Sequence, residues 1–307
     1  LKSLDGETRV VMEHTGRYYE PVARFLHEEG IFVSAVNPKL VKDYGNNTLR
    51  KVKTDKADAW KIARYGLDNW MELRQHTPMD TIRMQLKTLN RQQGLYSKMK
   101  TMMKNNLIAL LDQTYPGVNS LFDSPVREDG SQKWVDFAAS FWHVDCVRSM
   151  SLAAFTERYR KWCKRHGYNF SQSRAIEVHT KAQDLIAMLP RDALTKTMIR
   201  QAIDALNAVS ASLERLKNEM RTLAAQLPEY PVVMAMRGVG NSLGPQLMAE
   251  LGDVTRFTHR NAITAFAGVD PGADQSGTHE AKSTRASKSG PPELRKALFL
   301  LMDCLLK

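Results

Sequence analysis

Short apolar runs alternate with one amphipathic stretch at the start of the chain, which is the pattern of strands flanking a helix. Arg9 to His14 is the first apolar run, and Ile31 to Val36 is the second, closed by Asn37-Pro38. Between them, apolar residues at helical spacing run from Tyr18 to Glu29 and end at Gly30. Two strands around one helix predict a parallel βαβ unit.

A further helix is predicted from Asp55 to Tyr65, directly after Thr54, which is suited to cap its N-terminus. The apolar side chains of this helix that are available for packing are Ala57, Trp60, Ile62 and Ala63. Residues 1–78 therefore predict an α/β domain.

Residues 79–228 predict an all-α region built on two long helices. Ile82 to Leu111 is a continuous amphipathic stretch. From Leu206 to Leu227, apolar residues recur at alternating steps of three and four, which is a heptad seam. Two partners could cover this seam: the Ile82–Leu111 helix of the same chain, or a second chain in a coiled-coil dimer. The periodicity favours neither partner.

An insertion at about 117–190 separates the two long helices. Short helical patterns interrupted by polar loops cover Trp134 to Phe141, Leu152 to Trp162 and Ala175 to Met188. We expect short helices in these three places.

Residues 229–307 predict a small helical domain. A glycine-centred turn, Gly238-Val239-Gly240, precedes a predicted helix at Leu243–Leu251. Turn amides and a helix N-terminus can hold a DNA phosphate, as in a helix–hairpin–helix element, although an ordinary tight turn has the same sequence. A short helix follows at Asn261–Phe266. A polar stretch rich in Gly, Ser, Lys and Arg then leads to a last helix that begins after Pro291-Pro292.

The net charge limits the kinds of molecule that we expect the protein to bind. The 307 residues carry a net charge of +11, with 43% hydrophobic and 25% charged residues. A globular protein with this excess of cations either has a merely basic surface or binds a polyanion such as nucleic acid. No apolar run approaches the roughly 20 residues of a membrane span, and no signal peptide is visible, so we expect a cytoplasmic protein without a membrane partner. Cys146, Cys163 and Cys304 lack metal-site spacing and predict reduced thiols.

Three carboxylates are candidates for metal binding. Glu13 lies near the end of a predicted strand, and Asp55 and Asp58 are three apart, hence on one face of a predicted helix. Carboxylates that converge repel one another unless a cation lies between them, and Mg²⁺ (or Mn²⁺) prefers such oxygen ligands. The alternative is an ordinary solvated helix start. The bases around them that could meet a phosphate chain are Arg50, Lys51, Lys53 and Lys56.

Ser276 is the candidate nucleophile. It lies between Gln275 and Gly277, ahead of a basic run formed by Lys282, Arg285 and Lys288. Serine needs a base or a metal to remove its proton, and His279 is close in sequence but has no triad spacing. The other serines of this segment are Ser283, Ser287 and Ser289, of which the last two flank Lys288 and suit phosphate contacts better.

These motifs, in this order, resemble the DEDD-type transposases and recombinases of the bridge-RNA-guided insertion-sequence family, which is related to the Piv DNA invertase. The N-terminal matches are E-H-T-G-R-Y at 13–18, V-N-P at 36–38 and K-T-D-K-A-D-A at 53–59. The C-terminal matches are R-G-V-G, A-E-L-G-D-V-T-R-F, A-F-A-G-V-D-P, Q-S-G and K-S-G-P-P-E-L-R. The resemblance covers about residues 9–67 and 232–300.

The resemblance implies a RuvC-like, RNase H-type N-terminal domain, a long helical coiled-coil middle and a small helical C-terminal domain that bears the serine. Glu13, Asp55 and Asp58 match the second, third and fourth acids of an Asp-Glu-Asp-Asp site, and Ser276 matches the serine that forms a covalent link to DNA. The implied partners are donor and target DNA, a guide RNA that supplies specificity, and further copies of the chain in a dimer or tetramer.

Two departures from the family pattern are visible. The family's first acid belongs to a strand upstream of the glutamate, whereas Asp5 lies in the turn-like LDGE. Relatives also continue beyond the position of Lys307. Either the sequence lacks its true start, or residues before it were never ordered; an intact chain of this length would have a metal site that is short of one ligand.

The sequence thus predicts a cytoplasmic, nucleoid-associated RNA-guided DNA recombinase. Two alternatives stay open. A metal-dependent nuclease or resolvase would keep the acids and use water in place of Ser276. A basic, dimeric nucleic-acid-binding protein without activity would use the acidic residues only to cap a helix.

Overall fold

The computed structural model describes residues 1–44, 54–271 and 285–306, together with the backbone of two short strands, Gln275–Ser276 and His279–Glu280. The chain divides into two compact units, Leu1–Asp80 and Thr81–Lys307. Three predicted phosphate-binding residues, Arg50, Lys53 and Lys282, lie outside the described residues, as does Lys51.

The first unit is built on a parallel pair of strands. Its elements in chain order are β1 (Arg9–Glu13), α1 (Tyr19–Glu28), β2 (Phe32–Val36), α2 (Pro38–Tyr44) and α3 (Asp55–Asp68). β1 and β2 pair in parallel from Arg9↔Phe32 to Glu13↔Val36. The structure therefore confirms the parallel βαβ unit, because α1 connects the two strands as the pattern of apolar residues indicates.

The two edges of β2 have different neighbours. The Val36 carbonyl accepts a 2.8 Å hydrogen bond from the His14 amide on the β1 side. Carbonyls of a strand alternate between its edges, so the Val33 carbonyl, three residues earlier, faces away from β1. That carbonyl accepts a 2.7 Å bond from the His76 amide. The segment that follows α3 thus borders the second edge of β2.

The second unit is helical and is organised around one long antiparallel pair. The two long helices are α4 (Thr81–Leu111) and α9 (Ala193–Ala224). The shorter helices between them are α5 (Lys133–Ser140), α6 (Asp145–Arg148), α7 (Leu152–His166) and α8 (Gln172–Gln183). After α9 come α10 (Tyr230–Ala235), α11 (Leu243–Leu251), α12 (Arg260–Ala267), the strands β3 (Gln275–Ser276) and β4 (His279–Glu280), and α13 (Pro292–Leu306).

The heptad seam of α9 packs against α4 of the same chain. Leu206, Leu213 and Met220 are buried, and Leu86 at the start of α4 shares a cluster with Met220 near the end of α9. Of the two partners that the periodicity left open, the structure therefore shows the helical hairpin.

Of the three hydrophobic cores among the described residues, two lie at opposite ends of this hairpin, and the third joins α11, α12 and α13. The larger core holds Leu107 and Leu111 from the end of α4, Ile199 and Leu206 from the start of α9, and the aromatic side chains of the insertion. Those buried aromatic residues are Tyr115, Phe122, Trp134, Phe137, Phe141, Trp142, Phe155, Tyr159 and Trp162. The second core, at the other end, joins Leu86 and Met220 to the segments that follow α9.

The short predicted helices of the insertion are present with one shift. α5 and α7 match the predicted positions, whereas α8 ends at Gln183 and the predicted helix extended to Met188. Beyond α8, Ile186 and Met188 are exposed, and the Met188 and Leu189 amides donate to the Gln113 carbonyl. No helix in the described part of the chain is long and apolar enough to cross a bilayer.

Candidate active site

Glu13 ends β1 with its side chain half-buried. Its carboxylate accepts a hydrogen bond of 3.3 Å from the Thr15 hydroxyl, and the Thr15 amide donates to the Glu13 carbonyl at 2.9 Å. This tight turn fixes the direction in which the chain leaves the strand. Glu13 is thus held at the C-terminal end of the parallel pair, opposite Val36.

Two contacts fix the direction of α3 relative to β1. At the start of the strand, an Arg9 guanidinium nitrogen donates to the Trp70 carbonyl. Further along the strand, Val11 packs against Gly66, where an added Cβ would lie 2.8 Å from the Val11 Cγ2. β1 and α3 therefore run in opposite directions. The N-terminal half of α3 lies towards the end of β1 that carries Glu13.

Asp55 lies on the side of α3 that faces β1, whereas Asp58 lies at the edge of that side, about 80° around the helix from Gly66. Eleven residues separate Asp55 from Gly66, which is about three helical turns, so the two positions lie on one stripe. Asp58 is displaced from Asp55 by about 60° around the helix. Thr54 caps the helix as predicted, because its hydroxyl accepts a 3.2 Å bond from the Ala57 amide. Both carboxylates are exposed.

The three carboxylates do not form a metal-binding group in this structure. Within residues 1–44, 54–271 and 285–306, no three His, Cys, Asp or Glu side chains lie close enough together to hold a metal ion. The donor chemistry nevertheless suits Mg²⁺, because all three side chains offer carboxylate oxygens. Metal binding by Glu13, Asp55 and Asp58 stays a prediction.

Ser276 lies on a short β-hairpin in the second unit. β3 and β4 pair antiparallel, with Gln275 opposite Glu280 and Ser276 opposite His279. This pairing puts His279 next to Ser276 across the two strands, a relationship that sequence spacing alone does not give. The nucleophilic role of Ser276 stays a prediction.

The loop that carries this hairpin is closed at its base. The Ser287 amide donates to the Asp270 carbonyl at 3.0 Å, and the Ser287 hydroxyl donates to an Asp270 carboxylate oxygen at 2.8 Å. Pro271 and Ala286 form an isolated antiparallel bridge next to this pair. The residues on either side of Ser276 therefore leave and re-enter the helical unit at one point.

Two glycines make this closure possible. Gly268 has a φ of +64°, and an added Cβ would lie 2.6 Å from the Gly290 amide nitrogen. At Gly290, an added Cβ would lie 1.9 Å from the Phe266 carbonyl oxygen. The two backbones cross with no space for a side chain. Arg295 of α13 holds the crossing, since one of its guanidinium nitrogens donates to the Ala267 and Gly290 carbonyls at 3.2 and 2.5 Å.

Our sequence interpretation missed this junction. The signal was present in the motifs A-F-A-G-V-D-P and K-S-G-P-P-E-L-R, which supply Gly268, Asp270, Gly290 and Arg295. A glycine in each motif indicates that the two backbone segments approach closely, because glycine has no side chain to obstruct the contact.

A buried carboxylate fixes α11 on the long hairpin. Glu250 accepts 2.7 Å and 2.9 Å hydrogen bonds from Asn90 and Arg91 of α4. Arg91 also pairs with Glu293 at the start of α13. Burial raises the pKa of Glu250, and the Arg91 charge and the Asn90 hydrogen bond act in the opposite direction. This glutamate belongs to the A-E-L-G-D motif, and in this structure it joins three helices.

The remaining candidates for nucleic-acid binding are spread over both units. Lys56, Arg285 and Lys288 are exposed, and Lys288 has an unusual φ of +54°. Gly238 has a φ of +80° and lies against Cys304 of α13, whereas an added Cβ at Gly240 would meet no atom within 4 Å. The turn at 238–240 precedes α11 as predicted, and it follows α10, a helix that the sequence pattern did not predict. Phosphate binding by all five residues stays a prediction.

Comparison with known proteins gives two family matches. The DEDD transposase model of the IS110 type, described as Transposase, matches residues 1–116. The model described as Transposase IS116/IS110/IS902 family matches residues 230–306. Residues 117–229 lie between the two matched ranges.

Two curated proteins are similar along most of the chain. The pilin gene-inverting protein of Moraxella bovis is 22% identical over 294 residues, which covers 95% of this chain and 65% of the relative. The pilin gene-inverting protein of Moraxella lacunata is also 22% identical over 294 residues, with the same coverage. This chain thus spans 65% of the length of these relatives.

Proposed function

We propose that this chain, which belongs to the IS110-type DEDD transposases, is a DNA recombinase that cuts and rejoins strands through a covalent serine link. The observation that carries the proposal is the order of the two family matches. The DEDD match contains Glu13, Asp55 and Asp58, and the second match contains Ser276. The pilin gene-inverting relatives support DNA rearrangement as the reaction class.

The proposed reaction consists of two transesterifications. The Ser276 oxygen forms a bond to phosphorus while one P–O bond of the DNA strand breaks. The serine proton leaves, and the departing DNA oxygen takes up a proton. A DNA hydroxyl then attacks the phosphoserine, which restores the DNA bond and the free serine. Each step exchanges one phosphate ester for another, so the reaction needs no external energy source.

We propose that Glu13, Asp55 and Asp58 hold Mg²⁺ (or Mn²⁺) when DNA is bound. A bound metal would stabilise charge on the phosphate and lower the pKa of an oxygen nucleophile. The position of Glu13 at the end of β1 and of Asp55 on the β1-facing side of α3 supports this assignment. A RuvC-like fold for the first unit is part of the same proposal, supported by its parallel βαβ unit.

Guide RNA, DNA and further copies of the chain complete the proposal. The protein would contact the phosphate backbone through exposed cations such as Lys56, Arg285 and Lys288, while base pairing with the RNA would select the DNA site. Oligomerisation would use surfaces other than the seam of α9, which α4 already covers. Nuclease treatment of the purified protein tests the RNA partner: ribonuclease should abolish activity, and activity that survives would exclude the guide.

The decisive experiment looks for protein attached to DNA. Full-length protein and labelled donor DNA are incubated with Mg²⁺, and the products are separated on a denaturing gel. We expect a covalent adduct with the natural chain and none with Ser276→Ala, while DNA binding stays intact. Ser283→Ala and Ser287→Ala are the matched controls and should keep the adduct.

Each other outcome assigns a different function. An adduct that survives Ser276→Ala but disappears in Ser283→Ala or Ser287→Ala would move the nucleophile. Cleavage without an adduct would indicate a nuclease that uses water. Cleavage should also require the metal and disappear in Asp55→Asn. A chain that binds DNA but never cuts it would be a nucleic-acid-binding protein without activity.

A further inference from the structure

One tryptophan of this chain is exposed. Trp60, on α3, has 66% of its surface accessible. Trp134, Trp142 and Trp162 are buried in the aromatic core, and Trp70 lies under the Arg9 guanidinium, 4.3 Å from its ring centre. The sequence pattern made Trp60 and Ala63 available for packing, and the structure shows that both are exposed. A large aromatic side chain in solvent indicates a binding surface more often than a scattered aliphatic one does.

Trp60 is the centre of a stripe that begins at the edge of the β1-facing side, at Lys56, and ends on the far side of the helix, at Arg64. It lies about 120° around the helix from Gly66, which contacts the strand. Lys56 and Arg64 lie four residues before and after it, hence one turn away on the same side. Both cations are exposed. We refer to Lys56, Trp60 and Arg64 as the α3 stripe.

We infer that the α3 stripe binds single-stranded nucleic acid, with a base stacked on Trp60 and the adjoining phosphates on Lys56 and Arg64. Surfaces that hold single strands combine an aromatic ring, on which any base can stack, with cations that follow the backbone. The inference deepens the proposed function, because it names the form of nucleic acid that lies beside the carboxylates.

Charge and position favour nucleic acid over a second copy of the chain. The stripe puts a cation on each side of the ring and contains no carboxylate, which suits a polyanion. Its N-terminal residue, Lys56, directly follows Asp55 and lies about 100° from it around the helix, whereas Asp58 lies nearly opposite the stripe, about 160° from Lys56. A strand whose phosphate reached Asp55 would pass Lys56 first and Trp60 within about one further helical turn.

The test measures binding without chemistry. Full-length protein is titrated with a fluorescently labelled single-stranded DNA of about 20 nucleotides, and with RNA of the same sequence, in EDTA. We expect Trp60→Leu to weaken binding about tenfold, because leucine keeps an apolar side chain but offers no aromatic face. Trp60→Phe should bind within about threefold of the natural chain. Comparison of the DNA and RNA titrations shows which strand the stripe prefers.

A control on the same helix separates stacking from general apolar contact. Leu67 is 67% exposed, and Leu67→Ala removes a comparable apolar surface two turns away. This variant should bind as the natural chain does. Intrinsic fluorescence gives a second readout: bound oligonucleotide should quench a component that is absent in Trp60→Phe.

Equal affinity of Trp60→Leu and the natural chain, without quenching, would overturn the inference. Unchanged oligonucleotide binding combined with a smaller oligomer in Trp60→Leu would assign the surface to a second copy and overturn it as well. Because the assay contains no metal and needs no Ser276, a chain that never forms a covalent adduct can still confirm that the α3 stripe binds single strands. If the natural chain forms the adduct but Trp60→Leu binds the oligonucleotide equally well, only the inference about the α3 stripe is refuted.

Discussion

The Ser287 hydroxyl donates a 2.8 Å hydrogen bond to the Asp270 carboxylate, across the base of the loop that carries Ser276. The same two residues are joined by a backbone bond of 3.0 Å. Ser287 therefore has a structural partner, in addition to the role of phosphate ligand that its position beside Lys288 suggested.

Removing this side-chain bond should loosen the loop without removing the nucleophile. We expect Ser287→Ala to lower the free energy of unfolding by about 1 kcal/mol, since the bond joins a hydroxyl to a partly exposed carboxylate. Adduct formation should slow but persist. A double-mutant cycle with Asp270→Asn, followed by urea unfolding, measures the coupling. Ser289→Ala is the control, because the 3.5 Å contact of its hydroxyl with the Ser287 carbonyl is long. No coupling in the cycle would refute the role of the pair.

The crossing of backbones at Gly290 should tolerate no side chain. We expect Gly290→Ala to destabilise the second unit by roughly 3 kcal/mol or more, because the new Cβ would lie 1.9 Å from the Phe266 carbonyl oxygen. Gly240→Ala is the matched control and should change stability by less than about 0.5 kcal/mol, since its surroundings are open. Urea denaturation followed by tryptophan fluorescence measures both. Equal stability of the two variants would contradict the geometry of the junction.

Glu250 should make stability depend on pH. Burial raises the pKa of this carboxyl in the folded chain, so the folded state holds its proton more tightly than the unfolded state does. The associated stability is complete below the unfolded pKa of about 4.3 and is lost as pH rises through the higher folded value. Glu250→Gln removes this dependence. Relative to the natural chain, we expect its free energy of unfolding to rise with pH above about 4.3, by at most about 1.4 kcal/mol per pH unit.

The measurement compares urea unfolding of the two proteins between about pH 4 and pH 7. Asn90→Ala, which removes one donor to the same carboxylate, should be less stable throughout the range. A difference between Glu250→Gln and the natural chain that stays constant with pH would show that Glu250 does not titrate in this window.

Two tyrosines of the larger core and its surroundings should respond in opposite ways to loss of the hydroxyl. Tyr115 is fully buried, and its hydroxyl has no hydrogen-bond partner among the residues that the structure describes. Tyr115→Phe should therefore stabilise the chain by up to about 1 kcal/mol. The Tyr168 hydroxyl donates a 2.5 Å bond to Asp136, so Tyr168→Phe should cost about 1–2 kcal/mol. Thermal unfolding of both variants gives the comparison, and a destabilised Tyr115→Phe would indicate an undetected partner such as a buried water.

The sequence predicts helices and strands well where turn-forming residues and the spacing of apolar residues indicate the same boundaries. Gly30 and Asn37-Pro38 bound the helix and the second strand, and the parallel pair follows from the handedness rules of βαβ units. α8 shows the opposite case. Leu185 and Met188 continue the helical spacing of apolar residues, but the chain leaves the helix after Gln183 because the Met188 and Leu189 amides bind the Gln113 carbonyl. A tertiary hydrogen bond of this kind leaves no trace in local spacing.

The candidate site was less predictable than the fold. Spacing put Asp55 and Asp58 on one helix face, but only the contact of Gly66 with Val11 shows that Asp55 lies on the β1-facing side. Apolar character made Trp60 available for packing, but whether a side chain is exposed depends on which neighbours cover it. The seam of α9 buries the same leucines whether its partner is α4 or another chain, so no pattern within the helix could decide between them.

The antiparallel pairing of α4 and α9 puts two parts of the chain at opposite ends of one hairpin. Residues 112–192 form a single excursion between Leu111 and Ala193, and their aromatic side chains share one core with the adjoining ends of α4 and α9. The segments that support Ser276 attach to the opposite end, about 30 Å away over the 21 helical steps from Leu86 to Leu107. A cavity made in the aromatic core is therefore too distant to touch those segments, and its effect on them must travel along the two long helices.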